Sequence, residues 1–446
     1  MPVHDNRRHL ESSNTEALKI GLAGFGNVGA GVYKNLLKNE SLLKERIGRD
    51  LVIQKIVVRD PAKKREVELP AHLVSTDLND LIEDDEIDIV VELIGGTEQA
   101  FDLVKAALER GKTVVTGNKA LLADHGKELF AIADQEQTPI YFEAAVAGGI
   151  PIIKTVQESL VGNSIESMAG IINGTSNYIL GRMSDAGLDY GAALGEAQQL
   201  GYAEADPALD VNGWDAAHKA IILASLSYGS WVRSEDIFVE GIEKISLADI
   251  HVARDLGYVI KLLAIIKLDP QSGNIEVRVQ PSLIPESHIL ASVNGVFNAI
   301  FVRGDIVGET LFYGSGAGQD PTSSSVISDL ADAAAHLNGG AASRTGFVPH
   351  GLYGQPLPVD DSVSKYYLRL SVDDQPGVVA RIAGILGEHQ IGISSMVQPE
   401  EHSGDAAKIF LMLYFAPFGT MKKAVAEIAK LDCIQDEPVL MRVESL

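Results

Sequence analysis

Residues 18–31 read Leu-Lys-Ile-Gly-Leu-Ala-Gly-Phe-Gly-Asn-Val-Gly-Ala-Gly, an apolar run followed at once by glycines at 24, 26 and 29. This spacing constrains the fold more than any other feature, because it leads straight into a helix-like stretch, Val28 to Leu37. Strand, glycine turn and helix in that order form the cradle a dinucleotide pyrophosphate requires. Gly24 permits the tight turn, Gly26 lets phosphate approach the backbone, and Gly29 lets helix and strand pack closely. The helix start then offers free N–H groups and the positive end of its dipole. With Phe25, Asn27 and Val28 between the glycines, the segment reads as a dinucleotide site and the chain as a redox protein. The plain alternative is a structural glycine turn.

Short β-rich runs alternate with helical patterns through the first third. Ile20–Ala23, Val52–Val58, Ile87–Leu93, Thr113–Thr116 and Ile140–Glu143 read as strands, with helices at Val28–Leu37, Asp77–Ile82, Phe101–Glu109 and Lys119–Gln135. The alternation predicts βαβ units and a parallel sheet. Its C-terminal edge then carries Gly24–Gly29, Gly95-Gly96-Thr97 and Gly117-Asn118-Lys119. Beyond Gly149 helices (Ile152–Leu160, Tyr178–Ala186, Tyr190–Leu200, Trp214–Ser227, Leu247–Leu256) mix with strands (Tyr258–Leu268, Ile275–Leu283, Gly295–Val302, Asp305–Thr310, Phe312–Gly314). The last segment reads βαββαβ, a ferredoxin-like sandwich. The expected fold class is thus α/β: a Rossmann-type parallel-sheet domain, an α+β substrate and dimerisation domain, and the C-terminal sandwich. The expected bounds are a flexible tail over 1–17, the first domain over 18–145 completed by about 322–345, the second over 146–321, a linker over 346–363 and the third over 364–446.

Composition narrows the function. At 446 residues and a net charge of −24, the chain is a poor partner for nucleic acid or an anionic membrane. One cysteine, Cys433, excludes an internal disulfide and a cysteine-based metal cluster. No run reaches membrane-spanning length, and the first residues carry no signal-peptide core, so a cytoplasmic protein is expected.

Several residue sets carry chemistry. After the second strand, Arg59 with Lys63 suits a ribose 2′-phosphate and favours NADP, while Asp60 leaves NAD open; Lys64 and Arg65 read as a solvated turn. Lys119 lies on the cofactor edge, where a lysine polarises a carbonyl or carries a proton. Glu204, Asp206 and Asp210 precede a helix on which Asp215 and Lys219 stand four residues apart, on one face. An apolar run follows, so the pair enters a buried environment where the carboxylate steadies the ammonium. A helical ion pair without catalytic duty is the alternative. Asn173-Gly174-Thr175-Ser176-Asn177 is a polar turn able to bind a carboxylate or to cap a helix. The turn from Glu143 to Ile150 exposes carbonyl oxygens that suit a hard monovalent cation, or simply crosses between domains.

Together, Gly24-x-Gly26-x-Val28-Gly29, Gly117-Asn118-Lys119-Ala120, Asn173 to Tyr178, Leu200-Gly201-Tyr202-Ala203-Glu204-x-Asp206-Pro207 and Asp210-x-Asn212-Gly213-x-Asp215-x-x-x-Lys219 resemble the homoserine dehydrogenases across nearly the whole chain. The resemblance implies reversible NAD(P)-dependent interconversion of L-aspartate 4-semialdehyde and L-homoserine, within threonine, methionine and isoleucine synthesis. It implies active-site roles for Lys219 and Lys119 and substrate contacts at Glu204, Asp210, Asp215, Thr175 and Gly174. It further implies sodium at Glu143, Val146, Gly148 and Ile150, with carbonyls of the last three as ligands. Gly314 to Thr322 resembles the family's glycine loop near the cofactor, with Ser315 and Gln319 departing from the usual proline and glycine. Asp374-x-Pro376-Gly377-Val378 gives the C-terminal segment the look of an ACT domain, whose implied effector is L-threonine. A homodimer or homotetramer is expected. A non-catalytic dinucleotide and amino-acid sensor is the competing reading, and Lys119, Asp215 and Lys219 argue against it, since a sensor needs no proton chemistry.

Overall fold

The computed structural model describes residues 16–65, 67–339, 347–399 and 406–444. Most of the 1–17 tail therefore lies outside the described residues. The chain divides into two compact units, residues 1–158 with 317–347, and residues 159–316 with 348–446.

The first unit is built on six parallel strands: β1 (Leu18–Ala23), β2 (Leu51–Val57), β3 (Val74–Ser75), β4 (Ile89–Glu92), β5 (Thr113–Thr116) and β6 (Ile140–Tyr141). Their order is β3-β2-β1-β4-β5-β6, the doubly wound Rossmann arrangement, whose order reverses beside β1. Ile20, Leu22, Ile89 and Val91 are wholly buried, as strands covered on both faces must be. The helix Asn27–Lys38 buries Val32, Tyr33 and Leu36 along one side. The returning helix Gln319–Leu337 lies so close that a Cβ on Gly31 would meet Gln319 at 2.7 Å.

Local readings differ in four places here, the first being the two-residue strand β3 (Val74–Ser75), too short to show an alternating pattern. The helix Glu40–Ile47 has no buried residue, so it shows no apolar stripe to recognise, and it ends at Gly48 in the left-handed region (φ 81). β6 stops at Tyr141, and Glu143–Ala145 is a 3₁₀ turn rather than the end of a strand. The helix expected over Ile152–Leu160 is one α-turn, Ile152–Lys154, that widens into a π-turn over Thr155–Ser159. There the Thr155 hydroxyl donates to the Pro151 carbonyl, a local bond that competes with the regular helix.

The second unit carries β7 (Ile165–Ile171), β8 (Phe238–Val239), β9 (Tyr258–Leu268), β10 (Ile275–Pro285), β11 (Phe297–Gly304), β12 (Gly308–Ser315), β13 (Val363–Asp373), β14 (Ile393–Val397), β15 (Ala406–Pro417) and β16 (Val439–Val443). The two short strands expected over 305–314 are one strand, β12, entered through a turn that needs Gly308 at φ 73. All ten strands form one mixed sheet, β12-β11-β7-β9-β10-β16-β13-β15-β14, with β8 added beside β10.

The C-terminal strands therefore continue the sheet of the segment before them. β10 pairs with β16 in parallel at Ser282–Arg442 and Leu283–Val443. A buried quartet of charges crosses this seam: Arg278 reaches Glu276 at 2.7 Å and Glu444 at 2.8 Å, and Arg442 reaches Glu276 at 3.2 Å. Burial alone would raise the Glu276 carboxyl, but Arg278, Lys267 and Arg442 outweigh it and hold it at about 2. The proline- and glycine-rich stretch expected as a linker is also tied down where it is described. Gly354 donates to the Gly273 carbonyl, Leu357 donates to the Ile275 carbonyl, and the His350 ring covers Gly229.

Candidate active site

At the end of β1 the three fingerprint glycines are required for different reasons. Gly24 has φ +94, and a Cβ there would lie 2.5 Å from the Leu93 carbonyl oxygen. A Cβ on Gly29 would lie 2.3 Å from the Gly24 carbonyl oxygen. A Cβ on Gly26 would meet nothing within 4 Å, so the side of the backbone it would occupy is open to a ligand. The helix Asn27–Lys38 begins there with no side chain capping it, leaving its first N–H groups for an anion. These residues fit a dinucleotide diphosphate.

A cleft of about 480 Å³ runs from Gly24 and Gly26 past Arg59, Asp60, Lys63 and Arg65. The Asp60 carboxylate accepts the Ala62 N–H of its own turn at 2.9 Å through Oδ1. Arg65, set aside as solvated in the sequence reading, folds back over that turn and donates to the carbonyls of Asp60 and Lys63 at 2.6 and 2.8 Å. Its role comes from the curl of the loop, which residue spacing does not encode. Arg59 and Lys63 are exposed on the cleft wall, where two cations suit a phosphate group.

Two further loops stand on the same sheet edge. Gly96 takes φ +85, and Thr97 precedes the helix Glu98–Glu109. Lys119 is half-buried and opens the helix Lys119–Gln135, capped by the Asn118 side chain on the Leu121 N–H. Between the loops lies Glu92, which the sequence reading passed over inside a strand. It is fully buried, and that burial pushes its carboxyl up to about 7 against hydrogen bonds from Thr116, Ile94 and Asn118.

The second unit gathers the other candidates. Gly213, at φ +90, starts the helix Trp214–Tyr228, and Asp215 and Lys219 face inward one turn apart. The Lys219 ammonium donates to Asp215 Oδ2 at 2.6 Å and to the Ile172 carbonyl at 2.7 Å. Asn173 donates to Asp210 Oδ1 at 2.7 Å and to Asp215 Oδ2 at 2.9 Å, while its own carbonyl caps the helix Gly174–Ala186 at the Ser176 N–H. Asn173 thus caps the helix, as the plain reading of its turn expects, and spends its amide donors on two carboxylates of the chain itself. Burial raises the Asp210 carboxyl, and the neighbouring Asp215 adds to the shift against the Asn173 hydrogen bond. The Thr175 hydroxyl donates to the Tyr202 carbonyl at 2.7 Å. Gly174 is dictated by space, since a Cβ there would lie 2.5 Å from the Val296 carbonyl oxygen. Glu204 is exposed and stands outside this hydrogen-bonded group; its carbonyl accepts the Gln198 amide. Two carboxylates and one ammonium leave an excess negative charge, which suits a ligand bearing an ammonium group.

The loop after β6 is buried and tightly wound, with Ala147 (φ 55) and Gly148 (φ 52) both left-handed. The Glu143 carboxylate accepts the N–H groups of Ile153 and Lys154, both at 2.9 Å, one on each oxygen. The Gly148 carbonyl accepts the Ser325 hydroxyl. Among the described residues no cluster of three His, Cys, Asp or Glu side chains could hold a metal. The main-chain oxygens of the loop suit a hard cation.

Family models match in three places: homoserine dehydrogenase over residues 151–331, the homoserine dehydrogenase NAD-binding domain over 24–143, and the ACT domain over 366–433. The homoserine dehydrogenase of Helicobacter pylori is 45% identical over 430 residues, covering 96% of this chain and 99% of the relative. That of Neisseria gonorrhoeae is 42% identical over 437 residues, covering 96% and 99%. Among solved structures, a homoserine dehydrogenase from Thiobacillus denitrificans superposes with a TM-score of 0.89 at 42% identity, covering 96% of this chain and 99% of that one. A hyperthermophilic archaeal homoserine dehydrogenase in complex with NADPH matches with a TM-score of 0.60 at 28% identity, over 71% of this chain and 97% of that one. With relatives this similar along almost its entire length, the chain belongs to the homoserine dehydrogenase family.

Proposed function

We propose that the protein interconverts L-aspartate 4-semialdehyde and L-homoserine, with NADP preferred over NAD. The observation that carries this reading is the buried arrangement of Lys219, Asp215, Asn173 and Asp210. A bound nicotinamide supplies or accepts the hydride at the substrate carbon bearing oxygen. The protein residues manage charge and protons. Asp210 and Asp215 receive the substrate ammonium, with Glu204, Thr175 and Gly174 completing the contacts. Lys219 has two N–H groups held by Asp215 and Ile172, which aims the third. In the reducing direction that third N–H protonates the developing alkoxide, and in the oxidising direction the amine takes the hydroxyl proton back. Lys119 acts as co-donor or relay.

On the cofactor side Gly24, Phe25, Gly26, Asn27, Val28 and Gly29 hold the diphosphate, and Gly95, Gly96 and Thr97 with Lys119 hold the reactive end. Arg59 and Lys63 take the 2′-phosphate, supported by the exposure of both cations on the cleft wall. The archaeal relative in complex with NADPH agrees with this choice. Main-chain carbonyls of Val146, Gly148 and Ile150 hold sodium, a reading supported by the buried left-handed turn at Ala147 and Gly148. The ACT domain takes L-threonine as feedback effector, placing the enzyme in threonine, methionine and isoleucine synthesis in the cytoplasm. No helix among the described residues is long and apolar enough to cross a membrane. A homodimer or homotetramer completes the reading, supported by the exposed Phe297 and Tyr313 on β11 and β12.

The test is homoserine-dependent reduction of NADP and NAD by purified protein, with and without L-threonine, beside Lys219→Ala. Turnover that the variant loses supports the assignment, and threonine inhibition supports the effector. Cofactor binding without turnover in the unaltered protein would return the sensor reading.

A further inference from the structure

Glu92 closes the C-terminal end of β4 and has no exposed surface. Its Oε2 accepts the Thr116 hydroxyl at 2.5 Å, and its Oε1 accepts the Ile94 N–H at 2.9 Å and the Asn118 amide at 3.4 Å. All three donors are neutral. A buried carboxyl costs stability that a hydrocarbon side chain of similar volume would not, so packing alone does not explain an acid here.

What the acid does is set the direction of the hydrogen bonds around it. With its hydroxyl donating to Glu92, Thr116 Oγ1 accepts the Asn118 N–H at 3.0 Å. Asn118 then spends its carboxamide in both senses. Its oxygen accepts the Leu121 N–H and caps the helix that Lys119 begins. Its nitrogen donates to the carbonyls of Gly96 at 2.8 Å and Ile94 at 3.2 Å. One carboxyl thereby ties the loop after β4 to the loop after β5.

We propose that Glu92 is a positioning residue for hydride transfer: through Thr116 and Asn118 it fixes the Gly95–Thr97 loop against Lys119 while touching neither substrate nor cofactor. This rests on the reading above that these two loops hold the reactive end of the dinucleotide.

Glu92→Gln breaks the network at nearly constant volume. If the new NH₂ faces Thr116, it meets an oxygen that already accepts from Asn118, and the Thr116 proton loses its acceptor. If it faces Ile94, N–H points at N–H. Either arrangement removes a bond that orients Thr116 or Ile94 and so loosens the frame between the two loops, and transfer rates fall steeply with small displacements of the reacting groups.

The experiment measures single-turnover cofactor reduction by L-homoserine at pH 8, above the value of about 7 at which the Glu92 carboxyl titrates, in the full-length protein as wild type, Glu92→Gln, Thr116→Val and Thr116→Ser, with a thermal melt of each. The expected result is a rate constant lowered about tenfold or more in Glu92→Gln and Thr116→Val, with the amplitude per folded protein kept. Thr116→Ser, which retains the hydroxyl, stays within about threefold of wild type. Should Glu92→Gln fail to fold, Thr116→Val and Thr116→Ser carry the comparison. A smaller amplitude at an unchanged rate constant assigns Glu92 to folding alone and overturns the proposal. So does a wild-type rate constant in folded Glu92→Gln or Thr116→Val. No turnover in the wild type overturns the functional reading, and this proposal with it.

Discussion

Lys219 and Asp215 meet at 2.6 Å, one turn apart on a buried helix face, and the same Asp215 oxygen also accepts the Asn173 amide. The Lys219 side chain is held at its tip by that carboxylate and by the Ile172 carbonyl at 2.7 Å. The arrangement holds the Lys219 ammonium in one orientation beside the Asp215 carboxylate, and on the function proposed above it is the proton donor.

Lys219→Met should therefore remove the donor without removing the substrate's charge partners. Turnover is expected to fall by about 10²–10⁴, the range for lost general acid–base catalysis, while KM for homoserine changes far less. Steady-state kinetics in both directions checks it. A KM effect alone would show that Lys219 binds and does not transfer protons.

Asp210 lies above the usual carboxylate range because of burial and the nearby Asp215. As pH falls it takes up a proton before an ordinary aspartate would, and the pull on a substrate ammonium weakens. KM for homoserine should rise on the acid side in wild type, and Asp210→Asn should show a high KM with that limb flattened. An identical acid limb in both proteins would place the titrating group elsewhere.

Glu92 ties stability to pH. Its carboxyl stands at about 7 in the folded chain against an ordinary value of 4.5, so between these limits the folded state binds more protons than the unfolded one. The contribution is fully present below the unfolded value and is lost as pH rises through about 7. The loss amounts to at most about 3 kcal/mol, and it should vanish from the pH dependence of Glu92→Gln. Denaturant unfolding of both proteins at pH 5 and pH 8 measures the difference. Parallel changes would mean that Glu92 does not titrate in this window.

Arg59 and Lys63 share the cleft wall with Gly24 and Gly26. Removing either cation should weaken NADP by about 10–100-fold, the worth of a hydrogen bond to a charged group, and leave NAD nearly unchanged. The ratio of kcat/KM for the two cofactors reports it. Equal losses for both would move the pair from the 2′-phosphate to the diphosphate.

Much of the architecture was legible because it rests on local rules. Glycines at 24 and 29 are dictated by contacts of 2.5 and 2.3 Å to neighbouring backbone, and that spacing survives in the chain as a pattern. The four-residue interval between Asp215 and Lys219 likewise places both on one helix face wherever the helix lies. The helix Glu40–Ile47 escaped because it buries nothing, and the π-turn after Ile152 because side-chain bonds from Glu143 and Thr155 override helical periodicity.

The sequence by itself determined the doubly wound sheet, the βαββαβ segment and the Asp215–Lys219 pair, since alternation, glycine spacing and helical period act over a few residues. Only the tertiary structure decided which partners the polar groups found. Asn173 lies 37 and 42 positions from the two aspartates it joins, Glu92 lies 24 from Thr116, and Glu276 lies 166 from Arg442. Burial makes such partners obligatory, because an unpaired polar group away from water costs as much as the bond it lacks. No local pattern records them, because the chain brings them together only when it closes.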